Sequence, residues 1–435
     1  MVQNMTILIK NARIIDPAQD WDFLGSLLVQ NGVIAALNPE STAADTVIDG
    51  RGLVCAPGLV DLHVHLRDPG QTHKEDIASG AAAAAAGGVT TVVAMANTSP
   101  VIDCVDALKI GEKARENAAI RVLQAAAVSR GLGTRELADF DALAKNGAAA
   151  FSDDGVPFAD TNTVEAALQA AMRLDLPLLA HCEDKRLAGD GIINEGEVSR
   201  KLGIAGISNQ SEALCVQREI DCAKKFAKNA PHGEALPRLH ICHVSTKEAV
   251  EVIRREKREG AAVTAETAPH YFALCDELLL TQDADYRMNP PLRTKEDVAA
   301  IREGLADGTI DCIATDHAPH TPQEKRNFLT APNGVVGFET SLAAGISYLV
   351  DTGVLTLPEL IAKMSLNPSR ILKASTGTLR ISMPADIVIF DEKAKWDVKP
   401  ENFAGKSRNS AFKGLTLKGK VLYTICDGMI VYSGH

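Results

Sequence analysis

Eight short apolar runs, residues 60–66, 90–96, 121–128, 148–154, 177–184, 238–245, 263–270 and 311–318, alternate with stretches of helical spacing, and this alternation limits the fold more than any other feature. Intervening helices are expected at residues 76–86, 105–118, 163–174, 211–227, 247–259 and 295–305. Strands that are each followed by a helix must run parallel, and eight of them close into a (β/α)8 TIM-type barrel. The run Ala81 to Ala86 has high helix propensity, and Gly87-Gly88 ends it. The expected fold class is therefore α/β.

The two ends of the chain read differently. Residues 26–30 and 33–37 flank Asn31-Gly32, and residues 420–426 and 429–432 flank Asp427-Gly428, both strong hairpin signals. Neither end has enough strands to bury both faces alone. Residues 1–57 and 370–435 are therefore expected to form one composite β-domain, with the barrel, residues 58–369, inserted between them.

Composition narrows the class of function. The 435 residues carry a net charge of -11, which argues against a nucleic-acid partner, since that would need a basic face to neutralise phosphates. Lys10 and Arg13 interrupt the first apolar stretch, so no signal peptide is expected, and no window holds the ~20 apolar residues of a membrane helix. Nine scattered cysteines without a CxxC pair point to free thiols and a cytoplasmic setting.

Polar residues collect where the predicted strands end: His63 and His65, Asp153 and Asp154, His181, His243 and Asp316. A barrel builds its site at that rim from several strands. In a His-x-His pair both imidazoles face one side of the strand, because side chains alternate with period 2. Taken singly, each feature has a plainer explanation: buried hydrogen-bonded histidines, or a turn at Asp-Asp-Gly. Taken together, four histidines and two or more aspartates on five strand ends would bury several ionisable groups without compensation. A metal pair supplies that compensation, and imidazole with carboxylate suits zinc.

Cys182 and Cys242 adjoin His181 and His243, but alternation turns them to the opposite face, so neither is taken as a ligand. His73, His232, His240 and His435 are expected to be structural or solvated, and His270 to support the site from behind. There is no Walker loop and no Gly-x-Ser-x-Gly elbow.

The segments Ala56-Pro-Gly-Leu-Val-Asp-Leu-His-Val-His-Leu-Arg-Asp-Pro-Gly70, Met288-Asn-Pro-Pro-Leu-Arg293 and Ala314-Thr-Asp-His-Ala-Pro-His-Thr321 resemble signatures of the class I dihydroorotases, within the amidohydrolase superfamily. Phe151-Ser-Asp-Asp-Gly155, Ala180-His-Cys-Glu-Asp184 and Cys242-His-Val-Ser-Thr246 follow in the same order, so the resemblance spans essentially the whole chain. One departure is Met95-Ala-Asn-Thr98, where the family usually has Met-Pro-Asn-Thr.

The resemblance implies two Zn2+ per chain, bridged by Asp154 and a hydroxide. His63, His65 and Asp316 would hold one ion, and His181 and His243 the other. Many relatives bridge with a carboxylated lysine, whereas the matching strand here ends in Asp-Asp. The resemblance further implies Asp316 as general acid-base, and Arg67, Asn97 and His320 on the substrate carboxylate. Asn289 and the backbone at Gly337 and Phe338 would contact the ring. The implied reaction is the reversible hydrolysis of L-dihydroorotate to N-carbamoyl-L-aspartate in pyrimidine synthesis. A homodimer and an aspartate transcarbamoylase are the implied partners. Two other readings compete: a hydantoinase or allantoinase on the same scaffold, and a non-catalytic partner of the transcarbamoylase.

Overall fold

The computed structural model describes residues 6–40, 43–229 and 238–434; His232 and His435 lie outside them. All eight expected barrel strands are present: Leu59–Val64, Val89–Ala94, Arg121–Ala126, Ala148–Phe151, Leu178–Ala180, Leu239–Ile241, Val263–Thr267 and Cys312–Ile313. They pair in chain order as one parallel sheet. The first and last come together through a parallel bridge between Val64 and His317, with the His65 amide donating to the His317 carbonyl at 2.8 Å. Val60, Leu62, Val93, Met95, Ala150, Leu179 and Cys312 fill one buried cluster.

The strands are shorter than their apolar runs. Each leaves the hydrogen-bonded ladder before its last polar residues, which frees the backbone at the rim to aim those side chains. Arg67, His243 and Asp316 take φ of 61°, 34° and 49° there. Non-glycine residues tolerate that region at a cost of order 1–3 kcal/mol each, and such strain concentrates at functional sites.

The helices follow their capping signals. Ile77–Ala86 starts at Asp76, whose carboxylate accepts from the Ser79 amide at 2.8 Å. It stops at Gly87, where a Cβ would stand 2.2 Å from the Phe338 carbonyl oxygen. Two expectations are corrected. Residues 105–118 form two short helices, Val105–Lys109 and Glu112–Glu116, because the chain turns at Gly111 with φ of 80°. His270 is not at a strand end but in the helix Pro269–Ala273, since Pro269 has no N–H to extend a ladder and suits the first turn of a helix.

The two chain ends share one mixed sheet of eight strands. Val54–Pro57 pairs in parallel with Thr6–Asp16 on one side and antiparallel with Ile387–Asp397 on the other, aligning Ala56 with Val388. The Asn31-Gly32 turn joins Trp21–Gln30 to Val33–Leu37, with φ of 54° and 80°, the left-handed pair a two-residue hairpin requires. Ile7, Ile9, Ile14, Leu27, Val29, Ile387, Ile389 and Ile425 form its buried face. No helix among the described residues is long and apolar enough to cross a membrane.

Candidate metal centre

Four imidazoles and two carboxylates meet at the rim, all buried. Asp154 Oδ1 lies 3.2 Å from His63 Nε2, 3.5 Å from His181 Nδ1 and 3.4 Å from His243 Nε2, while Oδ2 lies 3.5 Å from His65 Nε2. Asp316 Oδ1 stands 3.1 Å from His65 Nε2 and 3.7 Å from His63 Nε2. Two donors each about 2.1 Å from one tetrahedral zinc sit about 3.4 Å apart. The separations here therefore have the spacing of ligands around shared cations.

Hydrogen bonding tells the same story. His63 Nε2 and Asp154 Oδ1 are buried without a hydrogen-bond partner. Such atoms cost free energy unless something compensates them, and a cation between them would. His63, His65 and Asp154 form one group able to hold a metal, and Asp154, His181 and His243 a second, so Asp154 belongs to both. The donor set, nitrogen and oxygen only, fits zinc.

Charge is shared across the cluster. Burial works against the Asp154 carboxylate, but the histidines around it win and hold its pKa well below the ordinary range. Burial favours neutral His63, yet Asp154 lifts it well above its usual value. His181, also buried, is raised to about 9 by Asp154 and Glu183.

Beside this cluster lies a cavity of about 230 Å3, below the ~300 Å3 of drug-sized sites and so suited to one small ring. Arg67, Asn97 and Asn289 line it together with His65, Asp154, His181, His243 and Asp316. Arg67 is buried, which brings its pKa down to about 10. Its Nε donates to the Pro319 carbonyl at 3.2 Å, and Nη2 lies 3.2 Å from His320 Nε2. That same ring nitrogen is 2.8 Å from the Asn333 carbonyl, which can only accept. His320 Nε2 therefore carries a proton that it gives to Asn333, and Arg67 Nη2 finds no acceptor at that contact, which leaves the buried guanidinium able to take an anion.

The full-length relatives decide the family. A dihydroorotase of Clostridioides difficile (strain 630) is 46% identical over 430 residues, covering 98% of this chain and 100% of that protein. A dihydroorotase of Syntrophus aciditrophicus (strain SB) is 45% identical over 433 residues, covering 98% and 99%. The chain belongs to the dihydroorotase family. Residues 52–249 match the Dihydro-orotase-like family and residues 220–432 the Amidohydrolase family. Among solved structures, an L-hydantoinase (dihydropyrimidinase) from Arthrobacter aurescens superposes with a TM-score of 0.85 at 23% identity, over 99% of this chain and 96% of that one. A D-hydantoinase superposes at 0.84 with 25% identity, over 99% and 95%.

In this dihydroorotase-family chain, several residues that the sequence reading left out support the centre. Glu266 accepts from His63 Nδ1 at 2.9 Å and from His240 Nε2 at 3.1 Å, so His240 is buried against the same carboxylate that holds His63. The two histidines outweigh burial and hold Glu266 at about 2. Its signal was an ionisable residue within an apolar strand. Asp61 binds the Thr315 amide and hydroxyl at 3.1 and 2.6 Å, fixing the last strand against the first. Glu183 stands 3.6 Å from His181 Nε2 and accepts from Asn289 Nδ2 at 3.3 Å.

The remaining predicted residues fall as follows. Asn97 Oδ1 meets His65 Nδ1 at 3.0 Å and its Nδ2 donates to the Asp154 carbonyl at 3.1 Å, so it also steadies the centre. Asp153 turns away from the rim, where its carboxylate accepts from the Val128, Ser129 and Gly133 amides and the Ser129 hydroxyl. Gly337 and Phe338 bear on His317 instead of lining the cavity: the Gly337 amide donates to His317 Nδ1 at 3.2 Å, and the rings of Phe338 and His317 stack at 4.0 Å. His270 is buried with Nε2 unpartnered, and burial lowers it to about 4.

Proposed function

We propose that this protein is a dihydroorotase, hydrolysing the cyclic amide of L-dihydroorotate to N-carbamoyl-L-aspartate and running the reverse ring closure in pyrimidine synthesis. The observation that carries the reading is one carboxylate, Asp154, spaced as a common ligand to four histidines, in the same small cavity as a buried arginine. The full-length relatives support the substrate.

In this reading His63, His65 and Asp316 would hold one zinc and His181 and His243 a second, with Asp154 within reach of both sets. Zinc, when bound, would supply Lewis acidity and lower the pKa of water to about 7. Asp316 takes the proton of the attacking water and returns it to the departing ring nitrogen, as a positioned carboxylate can. Arg67 forks onto the substrate carboxylate, with Asn97 nearby and His320 set against the Arg67 guanidinium from outside the cavity lining. Asn289 meets the ring. Binding energy at the carboxylate thereby holds the amide in place for attack.

A hydantoinase-like activity is the second reading, favoured by the superposed structures. The buried Arg67 argues against it, because an uncharged ring offers that guanidinium no carboxylate to fork onto. The convergence of all six donors argues against a non-catalytic role. We further propose a cytoplasmic homodimer able to associate with an aspartate transcarbamoylase; nine free cysteines support a reducing compartment. The test is turnover of dihydroorotate, hydantoin and dihydrouracil by the purified protein, with zinc content measured in parallel. Dihydroorotate should be preferred, with activity lost to chelation and restored by zinc. Full activity without metal, or preference for an uncharged ring, would overturn the reading.

A further inference from the structure

Away from the rim donors, Cys182, Cys215 and Glu219 form another buried group able to hold a metal. Cys215 and Glu219 lie one turn apart on the helix Asn209–Asn229, so both side chains share one face. Cys182, next to His181 in the chain, approaches that face from the strand end. The two sulfur atoms and a Glu219 carboxylate oxygen lie within 4.8 Å of one another, and Cys215 Sγ is 3.6 Å from Glu219 Oε1.

The plain explanation is two buried thiols beside an Arg218–Glu219 ion pair. It leaves too much unpaired. Glu219 has 0% side-chain exposure and Arg218 30%, and the arginine engages only Oε1. Oε2 of Glu219 and Nε of Arg218 have no hydrogen-bond partner. Burial holds the Glu219 carboxyl above its ordinary range even with Arg218 beside it. A buried acid half-satisfied by a half-exposed cation is costly, unless something else occupies the free oxygen.

We infer that Cys182, Cys215 and Glu219 form a separate binding site for a thiophilic divalent cation such as zinc. Around one tetrahedral zinc, sulfur and oxygen ligands sit about 3.6 Å apart and two sulfurs about 3.8 Å. The Cys215 Sγ–Glu219 Oε1 separation already has that value; because Arg218 holds Oε1, the carboxylate must turn to offer Oε2, and Cys182 Sγ must close by up to about 1.2 Å. Charge balances too, since two thiolates and one carboxylate offset zinc together with Arg218. Entry is available through Arg218, which lines a surface groove of about 670 Å3 with Phe158, Glu183 and Lys185. Its guanidinium donates to the Phe158 carbonyl at 3.4 Å and to Cys215 Sγ at 3.5 Å, contacts that an arriving cation would displace. The groove leaves a fourth position for water, as three-ligand zinc sites do.

The rim donors of the proposed catalytic pair are nitrogen and oxygen only, so sulfur ligation gives a signature of its own. Metal-free protein loaded with excess Co2+ should show thiolate-to-cobalt charge-transfer absorption in the near ultraviolet. It should also bind one more cobalt per chain than either Cys215→Ser or Glu219→Gln. The band should vanish in Cys215→Ser, while that variant keeps parent-like turnover of dihydroorotate as a check on folding. Absence of the band in the parent chain overturns the site, whatever the variants do. A band that persists unchanged in Cys215→Ser belongs to another thiol, such as Cys242, and overturns it equally.

Discussion

Asp153 and Asp154 are neighbours with opposite work, and exchanging each for alanine should separate stability from metal binding. Asp153 is 1% exposed and accepts from three backbone amides and one hydroxyl at 2.5 to 3.0 Å. Removing it strands three buried donors and the part-buried Gly133 amide. At roughly 1 kcal/mol for each buried unsatisfied group, the low end of the usual range, Asp153→Ala should cost about 3 kcal/mol or more. Asp154 has a different environment, since its partners are imidazoles on four sides. Asp154→Ala should bind clearly fewer zinc ions per chain than either the parent or Asp153→Ala, with activity lost. A bridging ligand serves both ions, so the deficit should exceed that of any single histidine variant. No bicarbonate should be needed for reconstitution, because the bridging carboxylate is built in. The assay is urea unfolding of metal-free protein beside zinc content after reconstitution. A metal-poor but stable Asp153→Ala, or a metal-replete Asp154→Ala, would refute the assignment.

Asp316→Asn should keep the fold and lose at least ~10²-fold in kcat, read from steady-state hydrolysis of dihydroorotate. Arg67→Lys should reduce dihydroorotate turnover more than that of uncharged cyclic imides, and equal losses would make Arg67 a structural residue. Glu266→Gln should weaken zinc affinity 10- to 100-fold, measured by chelator competition, because it orients the ring of His63. Burial pushes the Glu339 carboxyl up to about 7 in the folded chain. Its contribution to stability is therefore full below about pH 4.5 and lost as pH rises through 7, on the order of 3 kcal/mol. Glu339→Gln should flatten that fall in chemical denaturation measured across pH.

Much of this was legible because the decisive signals are local. Asn31-Gly32 dictates its hairpin by backbone conformation alone, and the eight apolar runs announce their strands. His63-Val-His65 needs only period-2 alternation to place two rings together. What stayed hidden depends on partners distant in sequence. Glu266 reads as a stray charge in a strand until the first and sixth strands bring His63 and His240 to it. His240 reads as an isolated histidine for the same reason. The left-handed backbone at His243 and Asp316 has no sequence signal, because neither is glycine and only the closed barrel holds them there. Gly111 was the opposite case, a visible helix breaker inside a stretch whose composition otherwise favoured one helix.

The shared sheet of the two chain ends also imposes an order on synthesis. Ala56 must wait for Val388, about 330 residues later, before its strand gains its second neighbour. At 5–20 residues per second that interval is roughly 20–70 s. Throughout it, Val54–Pro57 is an unpaired edge feeding directly into the first barrel strand. The nascent barrel therefore grows with its entrance unsecured. A ribosome stalled before residue 387 would hold a chain whose exposed β-edge invites chaperones or a second copy.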